Sequence, residues 1–372
     1  MNKPRLLIVG AFPSKDKVIY GGILKSCKII LNSSLNIEFE ILTLNSTQIS
    51  NPPPGFLVRS FFAFTRLWKL IAKLIYFRPK AALIFTSDGA SALEKGVMVF
   101  ICSIFKCKTL LFPRAGNLII QTSKSKAMLL LIKSLFQKAD IFLCQGNEWK
   151  DYAINILEFD ESRIKVISNW TATRDLIEIG ESRRYEETRD VAKILFVGWL
   201  EEFKGVFELL EAAKNLNNQG FNFHLTFAGN GNAERDAKEF VRKNNLNNVV
   251  NFSGWVDDLG LKELLQSNEI FVLPSWAEGL PNSMIEAMAA GLAIIVTPVG
   301  AIKDFIVDNE NGLIVVPQEV RGLESAIKKL INSKDLTNRL AINGMSTAKE
   351  NFSTEISINN LLEVIQEIIK KK

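Results

Sequence analysis

Residues 275–291 read Ser-Trp-Ala-Glu-Gly-Leu-Pro-Asn-Ser-Met-Ile-Glu-Ala-Met-Ala-Ala-Gly, and they follow the apolar run 270–273. The run predicts a buried strand, and the pattern after it predicts a helix that begins near Asn282 or Ser283 and stops at Gly291. Free N–H groups and the positive end of the helix dipole converge where such a helix starts, which suits a phosphate. The stretch therefore predicts an α/β fold with an anion site at a strand–turn–helix junction.

Two carboxylates bracket this turn, Glu278 in the loop and Glu286 in the first turns of the helix. Beside an anion site, carboxylates suit the hydroxyl groups of a ribose or a sugar better than the phosphate itself. A second interpretation stays open, because Ser283 and Glu286 have the spacing of a capping box. In that case Glu286 would satisfy only the start of its own helix.

Length and composition limit the class of protein. The chain has 372 residues, 47% hydrophobic and 23% charged, which is typical of a globular protein and favours two domains. Four scattered cysteines and a single histidine, His224, do not have the spacing of a zinc site or a disulfide framework. The first apolar run is too short for a signal peptide, and no window has the roughly 18 apolar residues of a spanning helix. These features predict a leaderless cytoplasmic chain.

The charge is unevenly divided. Residues 1–180 contain 24 Lys and Arg against 13 Asp and Glu, whereas the remainder contains 21 against 27. Most of the excess lies in residues 59–138, with 14 basic and 2 acidic residues. A basic half favours anionic partners, which are nucleic acid, an anionic membrane face or a phosphorylated substrate.

Two segments of this basic half are candidates for a membrane surface. Residues 61–78 predict an amphipathic helix in which Arg66, Lys69 and Lys73 share one face, with an apolar stripe and extra aromatic residues elsewhere. Residues 124–138 form a second basic and apolar helix. The pattern is typical of helices on an anionic bilayer, although a helix that packs on a core has a similar stripe. We predict an anionic membrane surface through both segments, with the core interpretation as the alternative.

Strands and helices alternate in two runs, which predicts parallel sheets with helices on both faces. The polar segment 177–190 is the best linker candidate. The predicted organisation is a Rossmann-like domain over residues 1–176, the linker, a second Rossmann-like domain over 191–350, and a helix over 351–372 that packs back on the first domain. Two such domains in tandem predict a cleft lined by the carboxyl ends of strands.

Three more turns follow predicted strands of the second domain. The turn from Gly198 to Gly205 contains Lys204, a lysine that can neutralise a diphosphate just before a helix. The turn 228–231, Ala-Gly-Asn-Gly, lets backbone approach a ligand. The turn 253–257, Ser-Gly-Trp-Val-Asp, has backbone groups that could pair with a base edge. Each turn alone is equally compatible with an ordinary loop or a surface lysine.

Taken in order, the four turns resemble those of family-4, or group 1, glycosyltransferases, which are retaining nucleotide-sugar enzymes of GT-B fold. The matching pattern is Val-Gly-x-x…Lys-Gly, Ala-Gly-x-Gly, Gly-Trp-Val and Pro-Ser-x-x-Glu-Gly-Leu-Pro-Asn-x-x-x-Glu-Ala-Met-Ala-x-Gly. The pair Glu278 and Glu286 matches the family's E-x7-E motif. The match covers about residues 193–316, and a looser likeness around Gly21-Gly22 extends it over nearly the whole chain. It implies two Rossmann-like domains that face each other across a cleft.

The resemblance also implies a role for each matching residue. Glu286 would hold ribose hydroxyls, Lys204 the donor diphosphate, and Glu278 the hydroxyls of the donor sugar. The further donor-binding residues are backbone groups at the diphosphate, the pair that frames the base, and two glycines beside phosphate and sugar, namely Gly279, Leu280, Asn282 and Ser283; Trp255 and Val256; Gly198 and Gly22. This assignment favours the functional interpretation of Glu286 over the capping box.

Two departures from the family pattern concern cations. Many relatives have an arginine where this chain has Trp199, which leaves Lys204 as the cation of that turn. Many also have a histidine near the donor sugar in the first domain, where this chain has Arg114. Arg114 would donate to the sugar or the diphosphate, and a surface arginine is the alternative. Asp88 is a weaker candidate for an acceptor contact, and Asp304 for a ribose contact or a helix cap.

These features predict a retaining hexosyltransferase, cytoplasmic and peripheral on the inner face of the cell membrane. It would move a sugar from a nucleotide-diphosphate donor, a UDP-sugar, to a lipid-linked or cell-surface polysaccharide precursor, without metal or other cofactor. A non-catalytic sugar-nucleotide or nucleic-acid binding protein is the alternative, although no RNA-recognition or helix-turn-helix pattern supports nucleic acid. A UDP-sugar epimerase is a third interpretation, and it would need histidines that this chain lacks.

Overall fold

The structure is a computed structural model that describes residues 3–12, 21–47, 55–185 and 190–370. The chain forms two compact units, residues 1–171 together with 354–372, and residues 172–353. Each unit contains one six-stranded sheet.

The inner strands of the first unit are mostly buried apolar runs, because helices cover both faces of a parallel sheet. Its strands are β1 (Arg5–Gly10), β2 (Glu40–Asn45), β3 (Ala81–Thr86), β4 (Lys108–Pro113), β5 (Ile141–Cys144) and β6 (Ile164–Val166). Its helices in chain order are α1 (Gly22–Leu31), α2 (Leu35–Glu38), α3 (Phe56–Phe77), α4 (Gly89–Ile104), α5 (Asn117–Lys124), α6 (Lys126–Phe136) and α7 (Asn147–Asn155). The strand order is β2-β1-β3-β4-β5-β6, and every recorded pairing is parallel.

Alternate residues of the first sheet belong to two separate cores. Leu7 and Val9 of β1 pack with residues of α3, α4 and α6, whereas Leu6 and Ile8 pack with α1 and α2. This alternation follows from the twofold period of side chains along a strand. Helices α3, α4 and α6 therefore form one layer on a single face of the sheet.

The second unit repeats the plan with its own core. Its strands are β7 (Ala192–Val197), β8 (Phe223–Ala228), β9 (Val250–Gly254), β10 (Ile270–Leu273), β11 (Ala293–Val296) and β12 (Leu313–Ile314). Its helices are α8 (Arg174–Glu181), α9 (Val206–Asn218), α10 (Glu234–Lys243), α11 (Asp258–Ser267), α12 (Asn282–Ala289), α13 (Val320–Asn332) and α14 (Lys334–Phe352). The strand order is β12-β11-β10-β7-β8-β9, and the recorded pairings are again parallel.

Helix α15 (Thr354–Lys370) belongs to the first unit. Its buried residues Ile358, Leu361 and Ile365 join the core on the α1 side of the first sheet. Thr354 Oγ1 also donates to the carbonyl of Trp170 at 2.8 Å, which fixes the start of the helix.

Residues 174–181 of the second unit form α8, so the segment predicted as a linker is helical up to Glu181. The helix is polar outside, but Leu176 and Gly180 are buried in the unit. A Cβ on Gly180 would lie 2.4 Å from the carbonyl oxygen of Ala289, so α8 packs tightly on the end of α12. Residues 186–189 of the predicted linker lie outside the described residues.

Two predicted helices of the basic half also differ in detail. The predicted helix 124–138 is interrupted at Ser125, whose side chain accepts from Met128 N and caps α6. The predicted basic face of α3 is smaller, because Arg66 donates to Glu94 at 2.5 Å and is only 17% exposed. Among the described helices, none is both long and apolar enough to cross a bilayer.

Candidate functional site

In the second sheet, β8 and β9 follow on one side of β7, whereas β10, β11 and β12 lie on the other side. The order in which the chain adds strands therefore reverses between β7 and β10, which are neighbours at the centre of the sheet. Loops that leave two such strands at their carboxyl ends diverge and leave a crevice, where ligands of doubly wound folds bind. The loop after β7 contains Lys204, and the loop after β10 contains Glu278. The structure thus places these two predicted residues on the two loops that flank the crevice of the second unit.

Backbone contacts hold the two loops together. Gly205 has φ +74°, and a Cβ there would lie 2.3 Å from the carbonyl oxygen of Pro274. Trp276 N donates to the carbonyl of Phe203 at 2.8 Å. A glycine is needed at position 205 because both the left-handed backbone and the close approach exclude a side chain. The lysine next to it is therefore carried on a fixed backbone.

Lys204 and Glu278 form a largely buried ion pair. Lys204 Nζ lies 2.6 Å from Glu278 Oε1, and Ser275 Oγ donates to the same oxygen at 2.7 Å. The side chains are 15% and 9% exposed. An ammonium has three N–H donors, and among the described residues one of them is used by Glu278. The pair therefore presents a positioned cation with further donors beside a positioned carboxylate.

The loop after β11 packs against the backbone of the turn that contains Glu278. Gly300 has φ +60°, and a Cβ there would lie 2.4 Å from the carbonyl oxygens of both Glu278 and Gly279. Ala301 N donates to the carbonyl of Gly279 at 2.8 Å, and Thr297 Oγ1 donates to that of Ser275 at 2.5 Å. Gly300 and Thr297 are supporting residues that the sequence analysis missed. The sequence signal for these two residues was weak, because only the glycine after the strand indicated a left-handed backbone conformation.

Helix α12 begins at Asn282, with Pro281 at its N-cap and no side-chain cap. Ser283 is therefore the second helical residue and Glu286 the fifth, so they do not occupy the two positions of a capping box. That alternative is wrong. Glu286 is 3% exposed on a helix whose start carries the N–H groups of the site. At the other end, Gly291 has φ +72°, as expected of a residue just past the helix.

The glycine turn after β8 has a structural explanation. A Cβ on Gly229 would lie 1.9 Å from the carbonyl oxygen of Gly198, and one on Gly231 would lie 2.2 Å from that of Leu200. Leu200 N donates to the carbonyl of Asn230 at 3.0 Å. Because these two positions have no side chain, the β8 turn packs directly against the loop after β7, beside Gly198.

Trp255 and Val256 lie just past the end of β9, at the far edge of the second sheet from β12. Gly254 has φ +68°, and its carbonyl accepts from Gly229 N at 2.8 Å. Trp255 is 40% exposed, whereas Asp257 caps α11 by accepting from Gly260 N at 2.9 Å. The turn thus offers an aromatic side chain at the same carboxyl edge as Lys204, separated from its loop by the β8 turn.

Arg114 lies in the first unit, directly after β4. Its guanidinium carbon is 4.8 Å from the ring centre of Phe112, 5.3 Å from that of Trp170 and 5.8 Å from that of Phe85. Its Nη2 donates to Ser26 Oγ of α1 at 3.0 Å. Burial lowers the pKa of Arg114 to about 9, so it remains cationic at neutral pH. The guanidinium lies against aromatic rings and α1, which is not the surface position of the alternative interpretation.

The remaining predicted residues of the first unit lie at the starts of helices. Gly22 is exposed and is the first residue of α1. Asp88 accepts from Asn117 Nδ2 at 2.6 Å, which ties the start of α4 to the start of α5. Residues 13–20, which precede Gly21-Gly22, lie outside the described residues. Among the described residues, no group of three or more His, Cys, Asp or Glu side chains is arranged to hold a metal ion.

The family comparison concerns the second unit. Residues 179–347 match the family model described as glycosyl transferases group 1. The chain is 28% identical over 202 residues to the lipopolysaccharide core biosynthesis glycosyltransferase LpsE of Rhizobium meliloti, which covers 54% of this chain and 57% of LpsE. The chain spans between 48% and 61% of the length of the first curated relatives it matches.

Two solved structures are similar over essentially the whole chain. Sucrose-phosphate synthase from Thermosynechococcus elongatus has a TM-score of 0.79 at 17% identity, with all of both chains covered. Anabaena HepE in complex with UDP-glucose has a TM-score of 0.72 at 14% identity, with 98% of this chain and 99% of that chain covered. At these identities the likeness shows the fold. It confirms the predicted α/β class with two Rossmann-like, parallel-sheet units of the GT-B type.

Proposed function

We propose that this chain, whose residues 179–347 match the model of the group 1 glycosyl transferases, transfers a sugar from a nucleotide-diphosphate donor to a polysaccharide or lipid-linked acceptor. The observation that carries the proposal is the pair Lys204–Glu278, 2.6 Å apart on the two loops at the crevice of the second sheet. Helix α12 starts directly after the second loop. A fixed cation, helical N–H groups and acidic side chains together suit a phosphate that is flanked by hydroxyl groups.

The diphosphate would be held by Lys204 and by backbone N–H groups. The four residues that offer those N–H groups lie on the turn and the first helical turn of α12: Gly279, Leu280, Asn282 and Ser283. When the bond between the anomeric carbon and the diphosphate oxygen breaks, negative charge gathers on the leaving phosphate. Donors that are already in place stabilise that charge without reorganisation. We propose that these groups do the neutralising and that no metal or other cofactor takes part.

The acidic residues would recognise hydroxyl groups. Glu286, buried on α12, would accept from the ribose, and Glu278 would accept from the transferred sugar with its orientation set by Lys204 and Ser275. Trp255 and Val256 would frame the base, since Trp255 is exposed at the same strand edge. Gly198 would let backbone come close to the donor.

We propose a UDP-sugar as the donor and retention as the stereochemical course. The acceptor hydroxyl would approach the anomeric carbon from the side of the departing diphosphate, and a phosphate oxygen would take its proton. The acceptor oxygen then bonds to the carbon, the donor C–O bond breaks, and UDP leaves with the charge. The support for UDP is the fold shared with HepE, whose structure contains UDP-glucose.

We further propose that the acceptor is lipid-linked or part of a cell-surface polysaccharide, and that the chain works on the inner face of the cell membrane. LpsE, a relative, is a lipopolysaccharide core biosynthesis enzyme. In the first unit, α4 packs against both α3 and α6, and this helical layer exposes large apolar side chains, namely Phe61, Phe64, Trp68, Ile104, Leu130 and Leu131.

Charge supports the same surface. Lysines exposed on or beside the three helices include Lys69, Lys106, Lys124 and Lys126. Residues 59–138 contain only two acids; Glu94 is 10% exposed and paired with Arg66, and Asp88 is hydrogen-bonded to Asn117. An apolar surface rimmed by lysines suits an anionic bilayer. This is the surface predicted over residues 61–78 and 124–138, but its apolar part is the aromatic side of α3, because Leu70 and Leu74 face the core.

The activity is tested by incubating the chain with a panel of UDP-sugars and a lipid-linked pyrophosphate acceptor. We expect UDP release that depends on one sugar, and a product whose anomeric configuration by NMR equals that of the donor. Retention of RNA without any UDP release would instead favour the non-catalytic alternative.

The membrane surface is tested by flotation with phosphatidylglycerol and phosphatidylcholine vesicles. We expect binding to the anionic vesicles only, with loss in the double variant Phe64→Ser and Trp68→Ser. The matched control changes two exposed apolar residues of the second unit, Val316→Ser and Ile342→Ser. Equal binding by both variants would exclude this surface.

A further inference from the structure

Glu208 is an acidic residue of the second unit to which the proposed function gives no role. It lies in the first turn of α9, shortly after Lys204 in the chain. Its Oε1 accepts from Trp276 Nε1 at 2.8 Å, whereas its Oε2 is sealed from water and has no hydrogen-bond partner among the described residues. A buried carboxylate oxygen without a partner is costly, so a carboxylate at this position calls for an explanation.

Trp276 lies in the loop after β10, between Ser275 and Glu278. Both of its N–H groups donate to the segment that follows β7. The backbone N–H donates to the carbonyl of Phe203 at 2.8 Å, and the indole N–H donates to Glu208. One hydrogen bond fixes the backbone of Trp276 and the other fixes its ring, which is partly exposed.

A carboxylate is well suited to hold this indole. Hydrogen bonds to an ionised acceptor are shorter and stronger than those to a neutral one. The positive end of the α9 dipole also favours a negative charge in the first helical turn, where Glu208 lies. A negative charge close to a bound diphosphate would weaken the binding of that anion, so the contribution of Glu208 is the hydrogen bond rather than its charge.

Building on the proposed function, we infer that Glu208 is a positioning residue for the turn that contains Glu278, and that it acts through Trp276. The neighbouring Ser275 donates to Glu278 Oε1 at 2.7 Å, so a shift of Trp276 moves a group that orients this carboxylate. Because Glu278 is the proposed contact of the transferred sugar, the link from Glu208 determines how the sugar, and not the nucleotide, is held.

A purely structural link would have different consequences. Its loss would lower the stability of the second unit and would affect the binding of UDP and of a UDP-sugar equally. A positioning link separates the two parts of the donor. Affinity for UDP, which depends on Lys204 and backbone N–H groups in the proposed function, stays the same, whereas the additional affinity from the sugar and the turnover fall.

The experiment compares Glu208→Met, Glu208→Gln, Trp276→Phe and the double variant Glu208→Met with Trp276→Phe with the wild type, using the full chain. Calorimetry without acceptor measures the affinity for UDP and for the UDP-sugar that gives turnover, and steady-state kinetics measures kcat and KM. The matched control is Glu211→Met, since Glu211 is an acid of the same helix that pairs with Lys214 at 3.1 Å instead of with the loop.

We expect Glu208→Met and Trp276→Phe each to lower kcat/KM for the UDP-sugar about tenfold, with UDP affinity unchanged. The double variant should be no worse than either single variant, because both changes remove the same hydrogen bond. Glu208→Gln should retain most of the activity, since its amide oxygen can still accept from the indole. Glu211→Met should match the wild type with both ligands.

A spectroscopic measurement tests the hydrogen bond without any turnover. The chain contains six tryptophans, so isotopically labelled tryptophan gives one indole N–H signal for each in an NMR spectrum. The signal that disappears in Trp276→Phe belongs to Trp276. We expect Glu208→Met to move this signal to lower proton frequency and to speed its exchange with water, and Glu211→Met to leave it in place.

The inference is overturned if the Trp276 signal is the same in the wild type and in Glu208→Met, or if Glu208→Met has the kcat/KM of the wild type. It is also overturned if UDP affinity falls as much as UDP-sugar affinity, which is the result of a purely structural link. A wild-type chain that binds no UDP and transfers no sugar is a separate result, and it would refute the proposed function itself.

Discussion

Lys204 and Arg114, two largely buried cations of this molecule, have opposite surroundings. In the second unit, Lys204 is neutralised by Glu278 at 2.6 Å, and backbone contacts between two loops fix the pair. In the first unit, Arg114 has aromatic rings and a serine around it and no described carboxylate. The comparison indicates that a cation can be positioned by a partner or by a cage. The partner neutralises the charge of Lys204, whereas the rings around Arg114 leave its charge without a neutralising group among the described residues.

The largest expected effect is a loss of sugar transfer when Lys204, the paired cation, is replaced. Lys204→Met removes the donor that we propose for the leaving diphosphate, so we expect kcat/KM to fall by about 10² to 10³. The control is Lys214→Met, which breaks another lysine–glutamate pair of the second unit, with Glu211 at 3.1 Å. Steady-state kinetics with the preferred UDP-sugar would measure both. Wild-type turnover in Lys204→Met would remove this lysine from the site.

The second expected effect is on stability, with a different sign for the two cations. Lys204→Met leaves Glu278 buried without its partner, so we expect the free energy of unfolding to fall by about 3 kcal/mol. Adding Glu278→Gln should recover most of this loss, but not the activity. Arg114→Met should leave the free energy of unfolding unchanged or raise it. Urea unfolding of the four proteins decides, and a large loss in Arg114→Met would make the two cations alike.

A third, smaller effect tests how rigidly the second unit supports its pair. Gly300→Ala forces a side chain into a left-handed backbone, 2.4 Å from two carbonyl oxygens, so the turn at Glu278 must shift. We expect a loss of about 2 kcal/mol of stability and a higher KM for the donor. The control is Gly55→Ala in the first unit, where a Cβ meets no atom of the described residues within 4 Å. Equal behaviour of the two variants would show that the support is not needed.

The smallest expected effect concerns a buried carboxylate in each unit. Glu286→Gln keeps the shape of the side chain but loses the charge that we propose accepts from ribose hydroxyls, so we expect UDP affinity to fall about tenfold. Glu94→Gln breaks the first-unit contacts with Arg66 and Lys95 instead. It should change stability and leave UDP affinity as it was. Calorimetry with UDP distinguishes them, and unchanged affinity in Glu286→Gln would contradict its proposed contact.

The alternation of strands and helices along the chain and the turns with Lys204 and Glu278 were predictable from the sequence, because each turn follows an apolar run directly and its residues are close in the chain. The order of the strands within each sheet was not predicted. Their ion pair was not predictable, since it joins residues 74 positions apart through the packing of two loops. The support by Gly300 was missed for the same reason. Roles such as the ribose contact of Glu286 stay predictions.

Side-chain direction limited the sequence analysis of the first unit. Helical spacing placed Arg66 on a basic face with Lys69, yet the structure turns Arg66 toward Glu94 of the neighbouring helix. Helical spacing predicts which residues share a face of one helix. It does not predict which charged residues of a neighbouring helix lie against that face. Likewise, the polar composition of residues 177–190 favoured a linker. In the structure, Ile177 and Ile179 pack against the core of the second unit, and Gly180 is buried.

The placement of α15 has a consequence for how the chain folds during synthesis. The second unit is one continuous stretch, residues 172–353, whereas the first unit is completed only by residues 354–370. Ribosomes deliver residues in order, and domains generally fold as units. Residues 1–171 therefore have one apolar face uncovered until residues 354–370 are made. The second unit, residues 172–353, is complete before that and can already fold. Shielding of that face by a chaperone, or slow completion of the first unit, is expected in the newly made protein.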